Sequence, residues 1–185
     1  MIVPNAKIVQ MGYVVAPGTF DAALDHWVTV MGAGPFYTMT SHLAGQTFRG
    51  KPTDMAARVA LGYCGDAQIE LIEQTNDAAG PYTEWLAMHP AVPKAGIFHH
   101  VLLEVDDYDA AYARLLAAGC RQAFDATSSS GGRVAYLEAF DTVGGYVEMI
   151  ETDFWQNLCD ALQAARRDWD GTNPVRGMDS LPMAR

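Results

Sequence analysis

Cysteine is scarce in this 185-residue chain: Cys64, Cys120 and Cys159 are odd in number and far apart, with no Cys-x-x-Cys pair. This argues against a disulfide framework or a thiolate metal site and leads us to expect three free thiols in a reducing compartment. Cations are also few, with 12 Lys and Arg against 22 Asp and Glu and a formal net charge of -10. The broad basic face that nucleic acid or an anionic membrane requires is therefore missing. An anionic small molecule needs only a local cluster, and Arg49, Lys51, Arg58, Lys94 and Arg133 are available for one. No apolar run approaches the ~20 residues that span a bilayer. The first seven residues lack a signal-peptide layout, so a cytoplasmic protein is expected.

What is present is ordinary in amount and informative in order. Half of the residues are hydrophobic and 18% are charged, which suits one compact domain or two fused half-domains. Lys7 to Val15 reads as a strand. Thr19 stands where it can cap a helix from Phe20 to Met31, whose apolar residues Phe20, Ala23, Leu24, Trp27 and Met31 fall on one stripe. Phe36 to Leu43 reads as a strand, Ala44 to Pro52 as a looser connection, and Met55 to Tyr63 and Gln68 to Gln74 as two strands about a tight turn. Residues 76–96 read as a linker with a short helix at Tyr82 to Met88. The pattern then restarts: a strand Ile97 to Val105, a helix behind Asp106 and Asp107, and strands Arg121 to Thr127, Arg133 to Phe140 and Tyr146 to Ile150. Asp153 to Trp169 reads as an added helix. The remainder reads as a disordered tail or an arm on a neighbouring subunit.

The two halves share the order strand, helix, strand, strand, strand, and the repeat decides the fold. It predicts an α+β protein in which two βαβββ modules, 6–75 and 97–151, pair curved mixed sheets around one cleft within a single domain, 1–151. A C-terminal helix and tail, 152–185, follow. Superposing the halves sets Gln10 against His100 and Glu70 against Glu148, within the similar runs Ile69-Glu70-Leu71-Ile72-Glu73 and Val147-Glu148-Met149-Ile150-Glu151. A carboxylate between apolar strand residues is costly to bury unless it is paired or metal-bound. One imidazole, two carboxylates and an amide oxygen suit Zn²⁺, with Mn²⁺, Co²⁺, Ni²⁺ or Fe²⁺ as alternatives. Glu73 and Glu151 read as solvated or strand-end charges. His99 would point away from His100 on a regular strand and reads as structural.

The runs Ile8-Val9-Gln10-Met11-Gly12-Tyr13, Gln68 to Glu73, Phe98-His99-His100-Val101 and Gly145 to Glu151 resemble the vicinal oxygen chelate superfamily, which includes glyoxalase I, methylmalonyl-CoA epimerase, extradiol dioxygenases and bleomycin-resistance proteins. The resemblance covers Lys7 to Glu151. It implies one metal ligand on the first and last strand of each module, hence Gln10, Glu70, His100 and Glu148. It implies a divalent-metal-dependent isomerase, epimerase or lyase that moves the proton α to a carbonyl through a metal-stabilised enolate or enediolate. Glu148 would be the base and Glu70 the second acid/base. A small-molecule carbonyl substrate is implied. A homodimer is expected from the added helix with Phe154 and Leu158. The alternatives are a metal-free binding protein of the bleomycin-resistance type and, disfavoured by a single histidine, an iron-dependent ring-cleaving dioxygenase.

Overall fold

The computed structural model describes residues 6–128, 131–151 and 153–183; the side chain of Phe154, and Ser129 and Ser130, lie outside the described residues. In chain order the elements are β1 Lys7–Val14, α1 Phe20–Met31, β2 Phe36–Ser41, β3 Ala44–Phe48, β4 Lys51–Pro52, β5 Ala57–Cys64 and β6 Ala67–Gln74. They continue with α2 Pro81–Met88, β7 Ile97–Glu104, α3 Tyr108–Ala117, β8 Arg121–Thr127, β9 Arg133–Ala139, α4 Phe140–Val143 and β10 Gly145–Ile150. The last are α5 Asp153–Arg167 and β11 Val175–Gly177. This is the expected mixed α+β architecture with a C-terminal helix.

The strands form one sheet in the order β11-β2-β5-β6-β1-β7-β10-β9-β8-β3-β4. Its centre is the antiparallel pair β1–β7, flanked by β6 parallel to β1 and β10 parallel to β7. Met11 faces Val101 at the middle of that pair. The two halves are therefore related by a pseudo-twofold axis near this point, and Gln10 is equivalent to His100 as the repeat predicts. One connection fixes the sheet's curvature. β2 ends at Ser41 and β3 begins at Ala44, yet the two lie near opposite ends of the sheet. The two intervening residues reach only about 10 Å. The sheet must curl until its ends are neighbours.

Alternation along the strands then sorts side chains to two faces. Outside, Phe20, Leu24 and Trp27 of α1 pack on Phe36, Ile69 and Leu71, while Ala111 and Leu115 of α3 pack on Val101, Leu137 and Met149. Inside, residues from both halves form one core with Tyr37, Ile72, Phe124 and Tyr136, closed by Leu158 and Leu162 of α5 and by Leu181 of the tail. Leu158, expected to support a homodimer contact, is thus spent within its own chain.

Local details correct four expectations. Thr19 does not cap α1; its Oγ1 donates to the Ala16 carbonyl at 2.7 Å instead. Asp107 does cap α3, accepting from the Ala110 amide at 2.9 Å. Ala44 to Pro52 is not a loose connection: β3 pairs antiparallel with β8 of the second half, and β4 pairs with β3. The described part of the tail is neither disordered nor an arm on another subunit, because β11 adds in parallel to β2 of the same chain. Phe140 leaves the strand and begins α4.

Most cations proposed for an anionic ligand are consumed by the fold. Arg49 grips Glu84 of α2 through two nitrogens and also reaches the buried Glu138 of β9, which Arg121 holds from its other side. Burying Glu138 is acceptable because two guanidinium groups satisfy it. Arg58 pairs with Asp21, and Arg133 pairs with Glu151 and Asp109. Lys51 and Lys94 have no ion pair among the described residues.

Leu162, 2% exposed, ties α5 to the inner face of the sheet. Leu162→Ala is expected to reduce unfolding free energy by about 2–5 kcal/mol in a denaturant titration, the usual effect of a core cavity.

Candidate metal centre

The site grows out of the β1–β7 pairing, where Gly12 faces His100. His100 is fully buried, and its ring fills the space above that glycine: a Cβ on Gly12 would lie 1.9 Å from His100 Cε1. Close approach, not a special dihedral angle, is what requires glycine here. On one side the parallel register of β6 sets Glu70 beside Gly12; on the other, β10 sets Glu148 beside Leu102. The two carboxylates reach the imidazole from opposite sides of the central pair. His100 Nε2 lies 2.9 Å from Glu148 Oε2 and 3.1 Å from Glu70 Oε2. One ligand atom from each residue lies within 4.8 Å of the others.

These contacts are close, yet His100 Nε2 and Glu70 Oε2 are both buried without hydrogen-bond geometry to any partner among the described residues. Lone pairs converging without satisfying one another are what a cation site presents. Gln10, 2% exposed, lies on the same face two residues from Gly12. Its Nε2 donates to Gln68 Oε1 at 2.8 Å, and Gln68 Nε2 in turn donates to the Tyr63 hydroxyl and toward Cys159 Sγ. That chain fixes both amide orientations and leaves Gln10 Oε1 buried and unpartnered. Of the four sequence-predicted residues, Glu70, His100 and Glu148 converge, while Gln10 borders them with its nitrogen committed and its oxygen free. A hard-to-borderline divalent ion fits this donor set.

Sequence reasoning missed the residues around the imidazole. Gly12 faces His100 and Tyr13 faces Phe98, so β7 carries one extra residue, His99. This bulge breaks the alternation and turns His99 toward His100, with their Nδ1 atoms 3.0 Å apart. The expectation that His99 points away therefore fails, because the strand is irregular there. Its ring is set among Tyr82, Trp85, Tyr136 and Tyr146. Tyr82 and Tyr136 share a hydroxyl contact of 2.9 Å. Burial, and then the charges of Glu70 and Glu148, push the Tyr82 hydroxyl well above its ordinary range, so it stays protonated. Nothing in the sequence marks the bulge except the His-His pair itself.

The electrostatics divide the two histidines. Burial, reinforced by His100, holds His99 well below the usual histidine range. For His100, burial works against the proton, but the charges and contacts of Glu148 and Glu70 outweigh it and raise the imidazole to about 9. Neutral His99 can thus accept the Nδ1 proton of His100 and leave Nε2 facing the carboxylates, the way outer partners orient metal-binding histidines. Burial, with the like charge of Glu148, raises the Glu70 carboxyl, and His100 opposes that shift.

Two measurements follow from this geometry. Gly12→Ala is expected to displace the His100 ring and weaken Co²⁺ or Zn²⁺ binding by about 10-fold or more in a calorimetric titration, the usual order for disturbing a ligand's support. In chelated protein, His100 binds its proton more tightly folded than at its ordinary value of 6.5. That stabilisation is complete below pH 6.5 and is lost as the pH rises toward 9. Melting temperature is therefore expected to fall across this interval, and less steeply in His100→Ala.

The resemblances agree with this architecture. Among solved structures, methylmalonyl-CoA epimerase from Mycobacterium tuberculosis is 20% identical, with a TM-score of 0.50 over 77% of this chain and 85% of that one. A hypothetical protein from Bacillus halodurans is 16% identical, with a TM-score of 0.52 over 80% and 96%. A variant of Streptomyces coelicolor methylmalonyl-CoA epimerase in complex with 2-nitronate-propionyl-CoA is 19% identical, with a TM-score of 0.50 over 80% and 94%. At these identities the likeness is one of fold. No curated protein matches in sequence. No described helix is long and apolar enough to cross a membrane. The model of one sequence family matches residues 9–136, from β1 into β9 and most of the chain, and on that match the chain belongs to the glyoxalase/bleomycin resistance protein/dioxygenase superfamily.

Proposed function

We propose that this protein is an enzyme that moves a proton α to a carbonyl of a small molecule, as an isomerase, epimerase or lyase, at a divalent-metal site held by Gln10, Glu70, His100 and Glu148. The observation that carries the reading is the convergence of Glu70, His100 and Glu148 from three strands, with Nε2 and Oε2 buried and unsatisfied. A bound ion would supply Lewis-acid polarisation of a substrate oxygen. The chain's own residues do the rest. Glu148 takes the proton from the α carbon, and Glu70, reaching in from the other side of the β1–β7 pair, serves as the second acid/base. Burial raises the Glu70 carboxyl, which favours that part, since a carboxylate with a raised pKa accepts a proton more readily. His99 fixes the ring of His100, and the phenols of Tyr82 and Tyr136 keep water from the buried side. From the methylmalonyl-CoA epimerases this reading takes the reaction type and not the substrate.

One observation favours a second reading, a metal-free binding protein. An imidazolium at His100 between two carboxylates balances much of the local charge without an ion. An iron-dependent dioxygenase is less favoured, because the usual ferrous set is two histidines and one carboxylate, and His99 Nδ1 is turned to His100.

Metal analysis combined with solvent deuterium exchange separates these readings. Zinc- or cobalt-loaded protein is expected to catalyse exchange α to the carbonyl in a panel of hydroxyketones and thioesters. Glu148→Gln is expected to retain the fold and most of the metal while losing about 100-fold or more of the exchange rate. Protein that takes up no zinc, manganese or cobalt sinks the enzyme reading, and full exchange in Glu148→Gln sinks the role of that residue.

A further inference from the structure

An amide side chain has two unequal ends: its oxygen carries lone pairs that a cation can use, whereas its nitrogen presents only protons. Which end of Gln10 faces the candidate metal centre therefore decides whether Gln10 can be a ligand. Gln10 and Gly12 share a face of β1, and the His100 ring fills the space that a Cβ on Gly12 would occupy. Gln68 stands beside Gln10 in the parallel register, as Glu70 stands beside Gly12. The two glutamines thus form a row about 7 Å along the strands from the row that carries the centre.

Gln10 alone does not select the useful end. Turned over, it would aim the protons of Nε2 at the carboxylates of Glu70 and Glu148, a charge-assisted arrangement that suits metal-free protein and keeps a cation out. Gln68 opposes that turn. Its Oε1 accepts from Gln10 Nε2 at 2.8 Å and would repel Gln10 Oε1 in the same place. Gln68 is itself held, because its Nε2 donates to the Tyr63 hydroxyl at 3.1 Å and to Cys159 Sγ at 3.5 Å. Reversing the whole chain of contacts would require the Cys159 thiol, a weak donor, to serve Gln68 Oε1. Gln10, Gln68, Tyr63 and Cys159 are all buried, so a contact left unmade here is costly. Cys159 belongs to α5, beyond the residues 9–136 matched by the family, and Leu158 and Leu162 anchor that helix in the core.

We propose that Gln68 is a positioning residue for the candidate metal centre: it turns Gln10 Oε1 toward the ion, and α5 holds Gln68 in that polarity through Cys159. This rests on the proposed metal-dependent function, and it makes the C-terminal helix a contributor to metal affinity although the helix supplies no ligand. Gln10 Oε1, buried and without a partner among the described residues, is the end point of the chain.

The test titrates Co²⁺ into the full, metal-free chain and reads the absorption of the bound ion. Gln68→Met, similar in size but a poor acceptor for Gln10 Nε2, is expected to weaken binding by about 10-fold or more, the usual order when a ligand's support is removed. Gln10→Glu offers an oxygen whichever way it turns, so in that background Gln68→Met is expected to cause no loss. Should Gln68→Met not fold, Gln68→Asn, which draws the amide one methylene away from Gln10, is expected to give the same pair of results. Wild-type affinity in the folded Gln68 variant, or an equal loss in both backgrounds, overturns the positioning role alone. Wild-type protein that takes up no Co²⁺ overturns the function on which that role rests.

Discussion

Everything at the centre of this molecule depends on how closely β1 can approach the ring of His100. The backbones of β1 and β7 are held at hydrogen-bonding distance, and an imidazole can lie across the pair only because Gly12 presents no side chain. That single vacancy lets a histidine from one half lie over the other half's first strand and receive a carboxylate from each. The cost of burying three ionisable groups is offset by their mutual arrangement, and the arrangement is dictated by strand register. A one-residue slip in β6 or β10 would turn Glu70 or Glu148 to the outer face among the residues of α1 or α3.

Much of this was legible in the sequence because the signals were periodic or duplicated. The alternating runs around Glu70 and Glu148 marked their strands, and matching the halves made Gln10 the counterpart of His100, an equivalence that the β1–β7 register, centred on Met11 and Val101, reproduces. The stripes of α1 and α3 were equally plain, since burial on one helix face leaves a regular mark. What escaped had no such mark. The bulge at His99 is a local irregularity that only the pairing with Tyr13 and Gly12 reveals. The pairing of β3 with β8 joins residues far apart in sequence through short, mixed segments such as Ala44-Gly45-Gln46. The three residues of β11 lie among Gly, Pro and Asn, a composition that reads as a disordered tail or an arm on a neighbouring subunit until β2 offers them an unpaired edge.

The added C-terminal segment changes the character of the inner face. Two modules alone would enclose an open trough. Here Leu158, Leu162 and Leu181 fill part of it with apolar side chains, while the glutamines of α5 leave one polar recess beside Gln10 and Gln68. The upward shifts of the Tyr63, Tyr82 and Cys159 side chains follow from that enclosure, whereas the His100 imidazole is raised against it by Glu148 and Glu70. The same helix thus contributes to stability and to the environment of the ionisable groups.

The crossing of β3 has a further mechanical meaning. Because a strand from the first half is stitched to the outer strand of the second, the halves meet along two ladders, β1–β7 at the middle and β3–β8 at the far end. Loosening one ladder leaves the other as a tether, so the halves cannot swing apart as hinged lobes while both hold. Breathing of the interior is confined to what α5 and the tail, which close the inner face, allow.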